Sequence, residues 1–414
     1  VKKNFSTPFR GTLSLVVILG FFLLPTLHGA LLSPLAPPPD WSTLQRYAGS
    51  ITERDFEDLL QQVYVPDGSW KKWITFTPSQ ALISPRAGAA PFSLSLAPAG
   101  SLPIPPPRYW KNRAERSPQP GHPLAGLRIA IDPGHLGGSY AQMEERWFRI
   151  GNSRPVEEGK MTLIVAKLLK QRLISLGADV WLTRTKNGAT TPLRPKNLQS
   201  DALAILQENA GAATESNLEH TAELLFYRFG EIRNRARLVN QVIRPDLVVC
   251  LHFNAEAWGD PLHPTLTDKN HLHLLLFGNL SEAELQHEDE RATMLVKLLS
   301  GTHREELGIS EAVSRSLASA TGLPPFVYHS SNARPASANP YLWFRNLLAN
   351  RLLECPVVYC EPYVMNSSDV FHRIQLGDYT GQRNVGGISR ASIYREYADA
   401  VAQGLADYYG GTAD

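Results

Sequence analysis

The chain of 414 residues is short of three things, and each shortage narrows what it can be. It has 3 cysteines, Cys250, Cys355 and Cys360. The number is odd and no pair has Cys-x-x-Cys spacing, which excludes a disulfide framework and a structural zinc finger. They read as small core residues, with a Cys250–Cys360 bridge left open if their strands are neighbours. Charge of either sign is not in surplus, since 41 Lys plus Arg face 39 Asp plus Glu. General nucleic-acid binding needs a basic excess to neutralise phosphates, so no nucleic-acid partner is expected. Finally, no apolar run reaches the roughly 20 residues that a membrane-spanning helix needs. The longest, Leu13–Leu24, follows Lys2, Lys3 and Arg10 and stops at Pro25. Residues 1–30 therefore read as a signal peptide or membrane anchor, and the short apolar core favours a cleaved signal. The chain is expected to be exported, to the periplasm or cell envelope of a bacterium.

Proline, by contrast, is plentiful at 31 residues, and it clusters. Residues 31–40 form a Pro-rich linker, stiff and extended. Residues 41–85 make a small N-terminal module of unknown role. Within it, Thr52 and Asp55 cap a helix carrying Phe56, Leu59, Leu60 and Val63 on one face. Trp70, Trp73, Ile74 and Phe76 suggest a short strand or hairpin. So few residues make a small core, and the module is expected to lean on something larger. Its aromatics read as core, with glycan binding as the alternative. Residues 86–123 return to linker composition, which places the main boundary there.

From Leu124 onward strands and helices alternate. Arg128–Asp132 is a buried strand, stopped by Pro133-Gly134. The spacing of Met161, Val165, Leu168, Leu169 and Leu176 predicts a helix that begins near Glu158 and ends at Gly177. Strands follow at Ala178–Leu182, Leu247–Leu251, His271–Phe277 and Pro356–Cys360. Further helices are expected at 225–243, from Ser281 to about Leu299, at 302–320, at 341–353 and at 394–408. Residues 186–222 and 256–270 read as insertions. The pattern predicts an α/β fold, a three-layer α/β/α sandwich around a mixed, mostly parallel sheet.

Ligands of open α/β sheets bind beyond the strand ends, and there four side chains converge. His135 follows the first strand, His252 a central one and Glu361 the last, while Glu158 opens the first helix. Two His and one Glu give a catalytic zinc its three protein ligands and leave a position for water. A further carboxylate can serve as general base. Taken singly, each has a plainer reading: a strand-end His is usually a satisfied histidine, and a helix-initial Glu usually serves the helix dipole. Glu361 is harder to explain away, because a charge directly after Val357-Val358-Tyr359-Cys360 is costly unless paired or near a metal. His263, His271 and His273 are too loosely spaced for a second metal site and read as surface or core residues.

These stretches resemble the zinc-dependent N-acetylmuramoyl-L-alanine amidases of bacterial peptidoglycan. The family's opening IDPGHGG-like motif is similar to Ile131-Asp-Pro-Gly-His135-Leu-Gly-Gly138. Its Glu, at a fixed distance before Leu-Thr-Arg, is similar to Glu158 before Leu182-Thr183-Arg184. Its Arg before Ala-Asn is similar to Arg235 before Val239-Asn240, and its Ser-Ile-His-x-Asn-Ala to Cys250-Leu251-His252-Phe253-Asn254-Ala255. Its closing motif is similar to Pro356 through Glu361 to Asn366. The resemblance covers residues 124–414 and implies a zinc amidase catalytic domain. It implies one Zn²⁺ per chain on His135, Glu158 and His252, with Glu361 as general base and then acid. Peptidoglycan is the implied partner, the amide between N-acetylmuramic acid and L-alanine the implied target. Arg235, Asn254 and Asn366 enter as substrate-binding residues, Arg235 with an ion-pair role as its alternative. Another zinc peptidase of the cell wall, or a non-catalytic wall-binding protein on the same fold, are the rival readings. The chain departs from the family at Leu136, where glycine is usual, in a longer loop before Glu158, and in its insertions. Leu136 is expected to reshape the substrate groove. An insertion covering the cleft would call for an activator protein.

Overall fold

The computed structural model describes residues 31–117 and 119–411. The signal peptide or anchor read at 1–30 lies outside the described residues. Among those described, no helix is long and apolar enough to cross a membrane.

The N-terminal part contains α1 (Glu53–Leu59), started by the Thr52 side chain accepting from Asp55 N. A small antiparallel sheet follows, of β1 (Ile74–Thr77), β2 (Gln80–Ile83) and β3 (Phe92–Ser95). Strand β3 lies inside the stretch read as a second linker, so the module extends past residue 85. Residues 31–40 are also tied down: Ser33 N donates to Asp289 Oδ1 at 2.7 Å. Trp70 is buried and Phe76 packs edge-on to Phe56 with ring centroids 5.5 Å apart, which makes these aromatics core. Phe56, Tyr64, Trp70 and Leu94 share one apolar cluster with the main sheet. A core too small to stand alone is thus completed by the larger one.

The main sheet begins with β4 (Arg128–Pro133). A two-stranded ribbon, β5 (Trp147–Phe148) and β6 (Val156–Glu157), leads directly into α2 (Glu158–Ser175) and then β7 (Asp179–Leu182). The 186–222 insertion holds α3 (Gln199–Glu208) and the start of α4 (Glu215–Leu224). The helical path continues through α5 (Glu231–Arg237) to Ile243, with wider π-type turns at Leu225–Gly230 and Leu238–Ile243. After it come β8 (Leu247–Leu251), β9 (Leu272–Leu276), α6 (Glu288–Ser300) and α7 (Thr302–Thr321). The chain then forms β10 (Ala333–Pro335), β11 (Leu342–Arg345), the short α8 (Leu348–Leu352) and β12 (Val357–Pro362). It closes with α9 (Ser368–Gln375), a hairpin of β13 (Arg383–Val385) and β14 (Ile388–Arg390), and α10 (Ile393–Gly410).

The seven main strands run β10-β11-β9-β12-β8-β4-β7. Four neighbours, β7, β4, β8 and β12, are mutually parallel, whereas β9 runs against β12. The sheet is mixed and mostly parallel, as the sequence predicts. Its one face packs Ile129, Ile131, Val249 and Val358 against Val165 and Leu169 of α2, Val313 of α7 and Val401 of α10. Its other face packs Ala130, Val248 and Tyr359 against Ala236, Val239 and Ile243. Alternation along β12 sends Cys360 to the first face, while Cys250 lies on the second. The strands are neighbours, yet all three cysteines are buried and free. The helix expected at 341–353 is half wrong: Leu342–Arg345 joins the sheet, and only residues 348–352 are helical.

Candidate active site

Strand β4 ends at a loop with an unusual backbone. His135 sits at φ 58°, the left-handed region that side-chain-bearing residues rarely adopt. Two buried arginines hold it there. Arg184 donates from Nε to Pro133 O at 3.0 Å and from Nη2 to Gly134 O at 3.1 Å. Arg235 donates to Pro133 O at 2.8 Å and to His135 O at 2.9 Å. Three consecutive carbonyls are thereby occupied, and Asp132 and Glu231 neutralise Arg235 at 3.1 and 2.8 Å.

The neighbouring strand β8 delivers His252, whose N donates to Cys360 O at 3.0 Å. The His252 ring lies so close to Gly134 that a Cβ there would stand 2.2 Å from its Cε1. Tyr359 stacks on its other side, centroids 4.6 Å apart and planes 13° apart. Glu158, the first residue of α2, is 1% exposed and turns its carboxylate between the two histidines. Oε2 is 3.2 Å from His135 Nε2 and Oε1 is 3.2 Å from His252 Nδ1. Phe253 N also donates to Oε1, at 3.1 Å. Among the described residues, His135, Glu158 and His252 form a group of metal-ligating side chains with all ligand atoms within 4.8 Å. Two imidazoles and one carboxylate suit a borderline ion such as zinc and leave coordination open, so the donor set fits the metal.

The electrostatics separate the two carboxylates. Burial opposes a charge on Glu158, but the His135 and His252 rings and Arg146 outweigh it and hold the pKa at about 2. Glu361, at the end of β12, is pushed up to about 7, first by burial and then by the Glu158 charge, against the pull of His252, Arg146 and Arg345. The same burial thus leaves Glu158 on the ionised side and pushes Glu361 toward its neutral form.

Of the remaining sequence candidates, Arg235 lies behind the His135 loop with its fork occupied, which is the ion-pair role. Asn366 is buried; its Oδ1 accepts from Glu256 N at 3.0 Å and its Nδ2 donates to Thr265 O at 3.2 Å. Asn254 pairs with Tyr363 and Met365 through its backbone and donates to His271 Nδ1 at 3.4 Å. Asn366 ties down the 256–270 loop, while Asn254 joins the end of β8 to the segment after β12. Leu136 does not face a groove. It is fully buried beside Leu198, Ala202, Ala222 and Phe226, so the 186–222 insertion packs onto the His135 loop. Sequence reading passed over Arg146, which reaches Glu158 Oε2 at 3.3 Å, and Glu144, which faces His135 Nδ1 at 3.6 Å. Their only signal was the charged run Glu144-Glu145-Arg146, which resembles any solvated turn.

Residues 129–261 match the family model of the N-acetylmuramoyl-L-alanine amidases. This segment, about a third of the chain, carries the sequence pattern of that family's amidase domain. The matched segment contains His135, Glu158 and His252, while Glu361 lies beyond it. No curated protein sequence matches the chain. Among solved structures, the apo amidase Ami1 of Mycobacterium abscessus is 19% identical, with a TM-score of 0.37, over 69% of this chain and 99% of that one. The CwlD amidase of Clostridioides difficile, solved in complex with the GerS lipoprotein, is 13% identical with a TM-score of 0.38, over 69% and 99%. The amidase AmiC2 of Nostoc punctiforme is 13% identical with a TM-score of 0.37, over 70% and 99%. The matched segment carries the ligand-type triad at its strand ends.

Proposed function

We propose that this amidase hydrolyses the amide between the lactyl group of N-acetylmuramic acid and the L-alanine of the stem peptide, with one Zn²⁺ held by His135, Glu158 and His252. The observation that carries this reading is the convergence of those three side chains within 4.8 Å, inside the segment that matches the amidase family. Zinc bound there would polarise the scissile carbonyl and lower the pKa of a water to about 7. Glu361 accepts the proton of the attacking water and returns it to the leaving L-alanine amine. Burial raises its pKa, the direction a carboxyl that both takes and gives a proton requires. Arg184 and Arg235 hold the His135 loop, and Asn366 holds the 256–270 loop.

The action lies outside the cytoplasm, in the periplasm or cell envelope, after export through residues 1–30. Peptidoglycan is the substrate, and an activator protein acting on the tethered 256–270 loop belongs to the same proposal. The Glu361→Ala protein tests the role of the base. Turnover should fall by about 10²–10⁴-fold, while zinc measured by elemental analysis stays at one per chain. Full activity in that protein refutes the role.

A further inference from the structure

The Glu144 carboxylate is 5% exposed, a costly place for a charge without a partner. Among the described residues its ion-pair contact is not a lysine or arginine but His135, with Oε1 3.6 Å from Nδ1. Its other oxygen accepts from Leu136 N at 2.8 Å, so the carboxylate is anchored to the backbone beside the ring it faces. The turn that carries it is fixed too, as Glu144 N donates to Tyr140 O at 3.0 Å. Tyr140 packs on Phe226 with centroids 5.7 Å apart, within the cluster that the 186–222 insertion builds around Leu136. On the far side of the imidazole, Nε2 points at Glu158 at 3.2 Å. The two ring nitrogens therefore face two different carboxylates, one in the ligand group and one behind it.

We infer that Glu144 is a positioning residue for metal binding: its carboxylate, 3.6 Å behind Nδ1, favours the proton on that nitrogen and so presents an unprotonated Nε2 to the ion. A carboxylate behind a metal-ligating histidine fixes the tautomer and the ring orientation, and it makes the ligand more basic. The left-handed backbone of His135 leaves the ring to be set by such contacts rather than by a regular strand. The inference rests on the zinc reading of His135, Glu158 and His252, and it adds a residue that no part of that reading requires.

The test is zinc affinity of the full chain, measured by competition with a chromogenic chelator, for the wild type, Glu144→Gln and Glu144→Asp. In Glu144→Gln the side-chain oxygen still accepts from Leu136 N, but the amide turns a donor toward Nδ1. That favours a proton on Nε2, the wrong tautomer for binding. Affinity should fall about 10- to 100-fold, the absorption of the Co²⁺-substituted protein should shift, and the melting temperature of the metal-free protein should stay put. Should Glu144→Gln fail to fold, Glu144→Asp, which keeps the charge one methylene back, should show a smaller loss in the same direction. Wild-type affinity and an unchanged Co²⁺ spectrum in a folded variant overturn the role of Glu144 alone. A wild type that binds no zinc overturns the metal reading and this inference together.

Discussion

His135 is held at φ 58°, a conformation that costs about 1–3 kcal/mol for a residue with a side chain. In the sequence, Pro133-Gly134 marks the stop of the strand. The turn falls on His135 itself, and Gly134 serves a different end: it makes room for the His252 ring. An alanine there would put a Cβ 2.2 Å from His252 Cε1 and 2.5 Å from Nε2. Gly134→Ala should therefore displace the ring and lose zinc on dialysis, with an overpacking cost of about 1–3 kcal/mol in unfolding free energy. Zinc retained at the wild-type level would show that the ring has another place to go. The residues that do the proposed chemistry were legible because such chemistry needs particular side chains at strand ends. Glu144 and Arg146 were not, since a charged run before a short ribbon looks the same whether it faces solvent or a buried imidazole.

At the level of elements, Arg235 explains how a helix and a strand end are kept in register. Its fork joins α5 to the β4 loop through Glu231, Asp132 and two carbonyls. Removing one partner of a buried ion pair leaves the others uncompensated, at a cost of about 3–5 kcal/mol. Arg235→Ala should show a loss of that order in denaturant unfolding. Arg235→Lys should recover only part, because an ammonium cannot reproduce the planar fork. Leu225, Ala236, Val239 and Ile243 of this helical path are buried, as an apolar stripe requires. Between the wider turns at 225–230 and 238–243, Glu231 and Arg235 are buried as well, which apolar periodicity does not mark. The apolar run Leu342-Trp343-Phe344 is too short for periodicity to separate strand from helix, which is why β11 was read as helical. The antiparallel direction of β9 was equally hidden. It brings His273 opposite Glu361 in the sheet, where a parallel strand would have carried it to the far edge.

Over the whole molecule, charge burial makes a pH signature that does not require the metal. His273 is 2% exposed, and burial, with His271 and Arg345 nearby, lowers its pKa from 6.5 to about 3. Below pH 6.5 the unfolded chain takes up a proton that the folded chain refuses. Stability is therefore lost as pH falls from 6.5 toward 3, by up to about 1.4 kcal/mol per pH unit for this group. Chemical denaturation at pH 7.5 and 5.5 should show the drop, and His273→Phe should reduce it; an unchanged difference would mean that His273 is protonated in the fold. At this scale the three-layer sandwich was readable from alternating patterns. The partition of the N-terminal part was less so, because proline marks stiff chain whether or not that chain is packed. The central claim is the bond that is cut. Purified chain with zinc, incubated with muropeptides of defined structure and analysed by mass spectrometry, should release the intact stem peptide beginning with L-alanine and leave the lactyl group on the sugar. A chelator should stop it. Cleavage inside the stem peptide, or none at all with zinc present, would contradict the account.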